Sequence, residues 1–335
     1  MKSNIEKVEV SCHLCGSGDR VVLASGSDHE YSTTTDDRFF VVKCMKCGLV
    51  YLNPRPAESE LATIYPREYA GYIDDEGVAG NSLLSRLKTA FVNELGYPKR
   101  VRTAVGYLPR NGSPLRLLDV GCGTGRVLSL FREYYPGEVE TVGVDFDSSA
   151  VEIARKKGHG AICGMFEAMD FPPCSFDCVY SSHVIEHVAD PGLLLSKVVS
   201  VLAPGGFFFC ETPNIGSIDA RLLSRLGIWG GFHFPRHWTF FSPGTLRKLA
   251  ENAGLEFVGV RFYLIPILWI WSLHLLGTKL GARQLTDALF PPHEHQCSSL
   301  QWFALTGGFT AVDFLLRLLT GQTACMFMIL RKPGN

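Results

Sequence analysis

From Leu115 to Leu330, short apolar runs alternate with amphipathic stretches, the pattern of strands and helices interleaved in an α/β domain. Leu115, Leu117 and Leu118 form a strand-like run ending at Asp119, and Val127-Leu-Ser-Leu-Phe131 then reads as a helix. A second run ends in Val142-Gly-Val-Asp145, before a helix starting near Ser148 for which Asp147 is the natural cap. The run through Cys178-Val-Tyr and the run from Phe207 to Cys210 read as two further strands. Ser242-Pro-Gly-Thr-Leu-Arg-Lys-Leu-Ala-Glu-Asn-Ala-Gly254 carries a cap, a proline start and a glycine stop, and so predicts a helix. Leu255 to Tyr263 alternates as a strand, and Thr323 to Leu330 reads as the last one.

Two regions depart from this rhythm. Residues 57 to 113 predict a helical connector, with helices from Glu58 to Tyr65 and from Ser82 to Leu95. Residues 263 to 320 are unusually apolar: Phe262 to Thr278 holds no charge, and Gln301 to Leu319 only Asp313 and Arg317. The first stretch, about 17 residues with Pro266 and His274 inside it, is too short and interrupted for a convincing span. Two or three apolar helices are expected instead, buried against the core, forming a dimer face, or lying in a membrane interface through side chains such as Ile265, Leu268, Trp269, Trp271 and Leu275.

At 335 residues the chain has room for about two domains. Its net charge of −1, without a basic block, gives no footprint for nucleic acid. The start, Met-Lys-Ser-Asn-Ile-Glu-Lys, lacks the apolar core of a secretory signal, so a cytoplasmic protein is expected. Most of the eleven cysteines, such as Cys163, Cys178, Cys210 and Cys325, stand singly in predicted strands, as buried free thiols do in a reducing compartment.

Asp119-Val-Gly-Cys-Gly-Thr-Gly125 places a glycine turn between a strand and a helix, where backbone amides can cradle a nucleotide-like ligand. A dinucleotide fingerprint needs glycine or alanine at position 126, and Arg126 stands there. The alternating Gly121, Gly123 and Gly125 after Asp119 resemble the first motif of class I S-adenosylmethionine (SAM) methyltransferases. Asp145 suits the ribose hydroxyls. Phe176-Asp177, His183-Val-Ile-Glu-His-Val188 and Leu202-Ala-Pro-Gly-Gly206 resemble later motifs of the same group, which includes quinone-ring O-methyltransferases and many sugar-cluster enzymes. The resemblance implies a Rossmann-like sheet of seven strands in the order 3-2-1-4-5-7-6 over residues 114–262 and 321–335, with the 263–320 insertion between strands six and seven, beside the acceptor. It implies that SAM is held by Asp119, Gly121, Cys122, Gly123, Gly125, Asp145, Phe146, Met165, Phe166, Ser182 and His183, with the connector as a lid that Tyr65, Tyr69 and Tyr72 could line. Where the family often has an acid for the adenine amino group, this chain reads Gly164-Met165-Phe166-Glu167.

Cys12-His-Leu-Cys15-Gly16 and Cys44-Met-Lys-Cys47-Gly48 are two C-x-x-C-G knuckles, and four thiolates make a closed, structural zinc site. The long separation predicts an extended hairpin from Val21 to Val42. A redox pair would precede a βαβ pattern, whereas Gly48-Leu-Val-Tyr-Leu-Asn-Pro-Arg-Pro56 follows. Residues 1–56 are therefore expected to form a zinc-ribbon module, similar to those ahead of methyltransferase cores in polysaccharide-cluster enzymes. Loss of one thiolate is expected to unfold that module and leave SAM binding largely intact.

Methyl transfer to a hydroxyl needs in-line positioning and a base. His187 and His237 are the expected base or orienting groups, with Glu186 beside them. His183-Val-Ile-Glu-His187 also matches the H-x-x-E-H protease pattern, but that reading needs a long helix where Ala189-Asp-Pro191 ends one. In quinone O-methyltransferases a related segment is associated with a divalent cation; here His183 replaces its first acid. The expected acceptor is a glycan, sugar nucleotide or lipid-linked glycan, methylated at oxygen. The alternatives are a quinone or polyketide ring, or a catalytically silent zinc-containing binding protein.

Overall fold

A computed structural model describes residues 4–28, 30–31, 34–66, 96–110, 113–291 and 299–334. The expected helix from Ser82 to Leu95, and Tyr69 and Tyr72, lie outside these residues. Short strands build the amino-terminal part: β1 (Lys7–Val8), β2 (Arg20–Gly26), β3 (Phe39–Cys44), β4 (Val50–Leu52) and β5 (Arg55–Pro56). β2 and β3 form the expected hairpin, pairing Arg20 with Cys44 and Gly26 with Phe39, and β4 adds antiparallel to β3. A short helix, Leu61–Ile64, opens the connector, and the helix Tyr97–Val105 follows its undescribed stretch.

The main sheet is built from β6 (Leu115–Val120), β7 (Val139–Asp145), β8 (Gly160–Cys163), β9 (Phe176–Ser182) and β10 (Leu202–Pro213). After the two-residue β11 (Thr239–Phe240) come β12 (Glu256–Tyr263) and β13 (Cys325–Arg331). The order β8-β7-β6-β9-β10-β13-β12 is the expected 3-2-1-4-5-7-6, with β13 antiparallel to both neighbours. Helices cover both faces, so central strands carry continuous apolar runs; every residue of β13 from Cys325 to Leu330 is buried. Local chemistry sets the helix starts: Asp147 accepts from Ala150 N at 2.7 Å, and Ser242 and Thr245 form a capping box. Cys178, Cys210 and Cys325 are buried as expected, but Cys163 is exposed because β8 is the sheet edge.

β11 has no counterpart in the sequence pattern. It pairs Thr239 with Tyr51 and Phe240 with Val50, completing a four-stranded sheet β11-β4-β3-β2. Two residues too short to show a period thus bind the amino-terminal sheet to the half of the chain that carries the main one.

The insertion consists of helices Ile267–Lys279, Arg283–Leu289 and Ser299–Thr320. It leaves from the carboxyl edge of the main sheet, where Tyr263 pairs with Cys325. Most side chains expected to meet a membrane face inward. Leu268 and Leu275 are buried, Ile265 and Trp271 line a cavity, and Trp269 donates to Asp313 Oδ1 at 2.7 Å while stacking on Phe309. The apolar exposure includes Leu280, Leu285 and Leu289, and is greatest on the last helix. Asp313 turns inward to accept from Ile265 N and Trp269 Nε1, leaving Phe314, Leu315, Leu318 and Leu319 outside.

Candidate active site

The carboxyl ends of β6, β7, β9 and β10 open onto a cavity of about 510 Å³, at the place where open α/β sheets take ligands. Asp119, Gly121, Cys122, Gly123, Asp145, Phe146, Ser182, His183, His187 and His237 all line it. A pocket of about 90 Å³ adjoins it, sharing Tyr65, Gly121, Asp145 and Phe146 and adding Met165, Phe166 and Glu167. Gly125 lines neither; with φ +81° it starts the helix Arg126–Tyr134, and a Cβ there would lie 2.8 Å from His159 Cδ2. Gly121 is likewise a packing glycine, since a Cβ would meet Val184 Cγ2 at 2.3 Å. Gly123, at φ +50°, has nothing within 4 Å on that side. Of the three, only Gly123 leaves open space for a ligand to approach the backbone.

Asp145 anchors the loop from the neighbouring strand: Oδ2 accepts from Gly123 N at 2.8 Å and Oδ1 from Asp147 N at 2.9 Å. Burial raises its pKa. Burial, and then the nearby Asp145 charge, raises that of Asp119 well above the usual carboxylate range. Two desolvated acids facing one cavity are poised for donors supplied by a ligand, such as an ammonium group and ribose hydroxyls.

On the opposite wall, residues 183 to 188 form turns rather than a helix, so the H-x-x-E-H protease geometry is absent. His183, at φ +55°, places Nδ1 3.0 Å from Glu186 Oε1, and Thr212 Oγ1 donates to Glu186 Oε2 at 3.0 Å. Burial opposes ionisation of Glu186, but the His183 hydrogen bond and charge hold its pKa down at about 2. Burial also disfavours the His183 cation, yet Glu186 and Glu211 raise its pKa overall. Glu186 is therefore a paired anion under the site, with both oxygens engaged. His187 places Nδ1 2.8 Å from the Tyr65 hydroxyl and 3.1 Å from the carbonyl of Arg236. Its ring centroid lies 4.6 Å from that of His237, whose Nδ1 is 2.8 Å from the Gly231 carbonyl. Burial lowers both, and the neighbouring His187 helps to take His237 to about 3. Both rings are neutral at pH 7.

Sequence reasoning missed an ion pair below the cavity. Glu211 binds Arg100 Nε, accepts from Ser182 Oγ at 2.9 Å, and Arg100 lies over Tyr263. Its signal was an acid at the end of a wholly apolar strand, which a buried core tolerates only with a cation. His183, Glu211 and Cys325 bring three donor atoms together, as do Glu186, His187 and His237, but Arg100 and Thr212 already engage their acids. Trp238 and Phe240, by contrast, are core residues.

The amino-terminal knuckles meet as predicted. Cys12 Sγ lies 3.3 Å from Cys47 Sγ, and Cys15 Sγ 3.5 Å from Cys44 Sγ. Gly16 and Gly48, at φ +69° and +80°, close matching turns by donating to the Cys12 and Cys44 carbonyls at 2.7 and 3.0 Å. Burial raises the Cys12 thiol, whereas the backbone amides of Cys47 and Lys46 overcome burial at Cys44 and bring it to about 7.

Comparison with known proteins places this geometry. A family described as "Methyltransferase domain" matches residues 94–260. A ubiquinone biosynthesis O-methyltransferase of Ruegeria pomeroyi is 33% identical over 196 residues, 53% of this chain and 74% of the relative. Similarly named proteins of a Bradyrhizobium strain and of Nitrobacter winogradskyi are 39% and 37% identical, and the chain spans 41% and 56% of their lengths. Among solved structures, a SAM-dependent methyltransferase of Archaeoglobus fulgidus is 20% identical with a TM-score of 0.45, covering 73% of this chain and 99% of that one. With its seven-stranded order and the related Ruegeria sequence, the chain belongs to the class I SAM-dependent methyltransferases.

Proposed function

We propose that the protein transfers the methyl group of SAM to a ring hydroxyl of a quinone-type acceptor with an apolar portion. The observation that carries this reading is the neutral His187 on a cavity walled on one side by Gly123, Asp119 and Asp145 and on the other by Ile265, Leu268 and Trp271. The residues fit SAM: open space above Gly123, two desolvated acids on the cavity wall, and a volume within the range of about 300 to 1,000 Å³ usual for small-molecule sites. SAM supplies an electrophilic methyl on a sulfonium. Asp145 and the loop would orient it, Met165 and Phe166 would offer apolar contact to its adenine, and Trp271 with the insertion would exclude water from the acceptor. The carbonyl of Arg236 can only accept, which favours the tautomer with the proton on His187 Nδ1 and leaves Nε2 to take the acceptor's hydroxyl proton; the S–CH3 bond would break as the O–CH3 bond forms, leaving a neutral thioether.

The names of these relatives favour a quinone over the glycan or sugar nucleotide expected from sequence. The test is turnover of labelled SAM with catechol-type polyprenyl rings, water-soluble catechols and sugar nucleotides. Preference for the prenylated ring supports the reading, and methylation of the sugar nucleotide alone overturns it.

The four cysteines fit a structural zinc site: four sulfurs at Zn–S of ~2.3 Å lie about 3.8 Å apart in a tetrahedron, close to the separations here. Cys12, Cys15, Cys44 and Cys47 would hold the ion, and its role would be folding. The helix Leu300–Thr320 is long and apolar enough to cross a membrane, and only 11% of it is buried. Its outward leucines and its attachment to the Ile267–Lys279 helix, which walls the acceptor side, support peripheral contact with a membrane holding a lipophilic acceptor.

A further inference from the structure

Between Trp229 and Trp238 lies a buried charge that methyl transfer does not itself require. Arg236 is fully buried, and its guanidinium reaches across to the amino-terminal part of the chain. Nη2 donates to Asp28 Oδ2 at 2.6 Å, Nη1 approaches Glu30 Oε2 at 3.5 Å, and Nε donates to the carbonyl of Ile64 at 2.8 Å. The group also lies over the Tyr31 ring, 4.6 Å from its centroid. Burying such a cluster is costly unless every charge is matched, and removing one partner leaves the others stranded.

Both groups at His187 Nδ1 depend on this clamp. One is the carbonyl of Arg236 itself; the other is the hydroxyl of Tyr65, the residue after the carbonyl that Arg236 Nε holds. The backbone supplies a parallel connection. Cys44 ends β3, β3 pairs with β4, β4 pairs with β11, and Trp238 N donates to the carbonyl of Glu186 at 2.7 Å. A continuous path therefore runs from the cysteine cluster to the turn that carries His187. The charged and titratable groups around that ring are Glu186, His183, His237 and Arg236, with Tyr65 bonded to it and His233 edge-on.

We propose that Arg236 is a positioning residue: clamped by Asp28, Glu30 and the Ile64 carbonyl, it fixes which nitrogen of His187 carries the proton, and so couples the four-cysteine module to methyl transfer. This rests on His187 accepting the hydroxyl proton. The amino-terminal module is then part of the catalytic apparatus although none of its cysteines lines the cavity.

Nitrogen-15 NMR of the zinc-loaded protein tests it, with the His187 resonances assigned by their loss in His187→Gln. Wild type should show Nδ1 protonated and Nε2 bare. Asp28→Asn should mix the two tautomers and lower kcat by about 10- to 100-fold, with SAM affinity and the KM of the acceptor little changed. Arg236→Lys, which keeps the charge and loses the fork, should fall between. Unchanged His187 signals and unchanged kcat in folded Asp28→Asn and Arg236→Lys overturn the proposal. If neither variant folds, chelation of the wild-type metal replaces them, read by the same resonances: tautomer mixing supports the coupling and an unaltered spectrum overturns it. Full turnover in His187→Gln instead sinks the assignment of the base, a result separate from the tautomer reading.

Discussion

At His187 burial and charge pull in opposite directions. Burial disfavours the imidazolium, the Glu186 carboxylate favours it, and burial wins, so the pKa lies below the ordinary 6.5. As pH falls through the folded value the ring gains a proton and can no longer accept one. The acid limb of the kcat profile is thus expected below pH ~6.5, as a pH-rate series will show. His187→Gln should lower kcat by about 10²- to 10⁴-fold without loss of SAM affinity. His237→Gln should cost less, because a ring already at about 3 is a poor proton acceptor. Glu186 carries a stability signature as well. Its folded pKa of about 2 lies below the usual 4.5, so its contribution is complete above pH 4.5 and is lost as pH falls toward 2. Denaturant melts across that window should show less pH dependence in Glu186→Gln. The glycine loop gives a third residue-level outcome. Gly123→Asn should block SAM binding in calorimetry, since a side chain there fills open space and asparagine tolerates the φ of +50°. Gly121→Val should destabilise the fold itself, through Val184.

Among the elements, the four-cysteine module departs most from its expected independence. The sequence describes a separable ribbon, yet its sheet is closed by β11 from beyond residue 230, and Leu52 N donates to the Trp238 carbonyl at 2.8 Å. Elemental analysis should find one zinc per chain, absent in Cys44→Ser. Loss of the ion should loosen the 230–240 loop along with the hairpin, lowering turnover and Tm together. The Asp119 and Asp145 strand ends, built on β6 and β7, should keep their SAM affinity. Each part of this outcome has its own readout: metal content, melting and calorimetry.

On the scale of the whole molecule, the insertion faces two ways. Its Ile267–Lys279 helix gives Leu268 and Trp271 to the cavity, while the Ser299–Thr320 helix rests on it by a narrow stripe that includes Phe309 and Asp313. Leu300, Leu318 and Leu319 are 78%, 67% and 73% exposed. At about 25 cal/mol per Å² of apolar surface, a few such side chains give useful affinity for a bilayer. Liposome flotation should therefore recover the protein, and high salt should not release it, because little of the contact is electrostatic. Leu315→Glu with Leu319→Glu should return it to the unbound fraction and raise KM for a prenylated ring but not for a soluble catechol.

What the sequence determined was local and periodic. The glycine turn after Leu118, the acid at Asp145, the caps at Asp147 and Ser242, and the paired knuckles are short-range patterns whose chemistry is written in adjacent residues. Strand order followed because the ordered motifs resemble a family with one sheet topology. Tertiary structure decided whatever depends on distant residues meeting. The Arg236 clamp joins positions more than 170 residues apart, β11 is too short to carry a period, and His187 differs from His237 only through the carbonyls, charges and burial around each ring. The direction each apolar side chain of the insertion faces was decided in the same way, because a helix apolar on all sides has no pattern to orient it until another element packs against it.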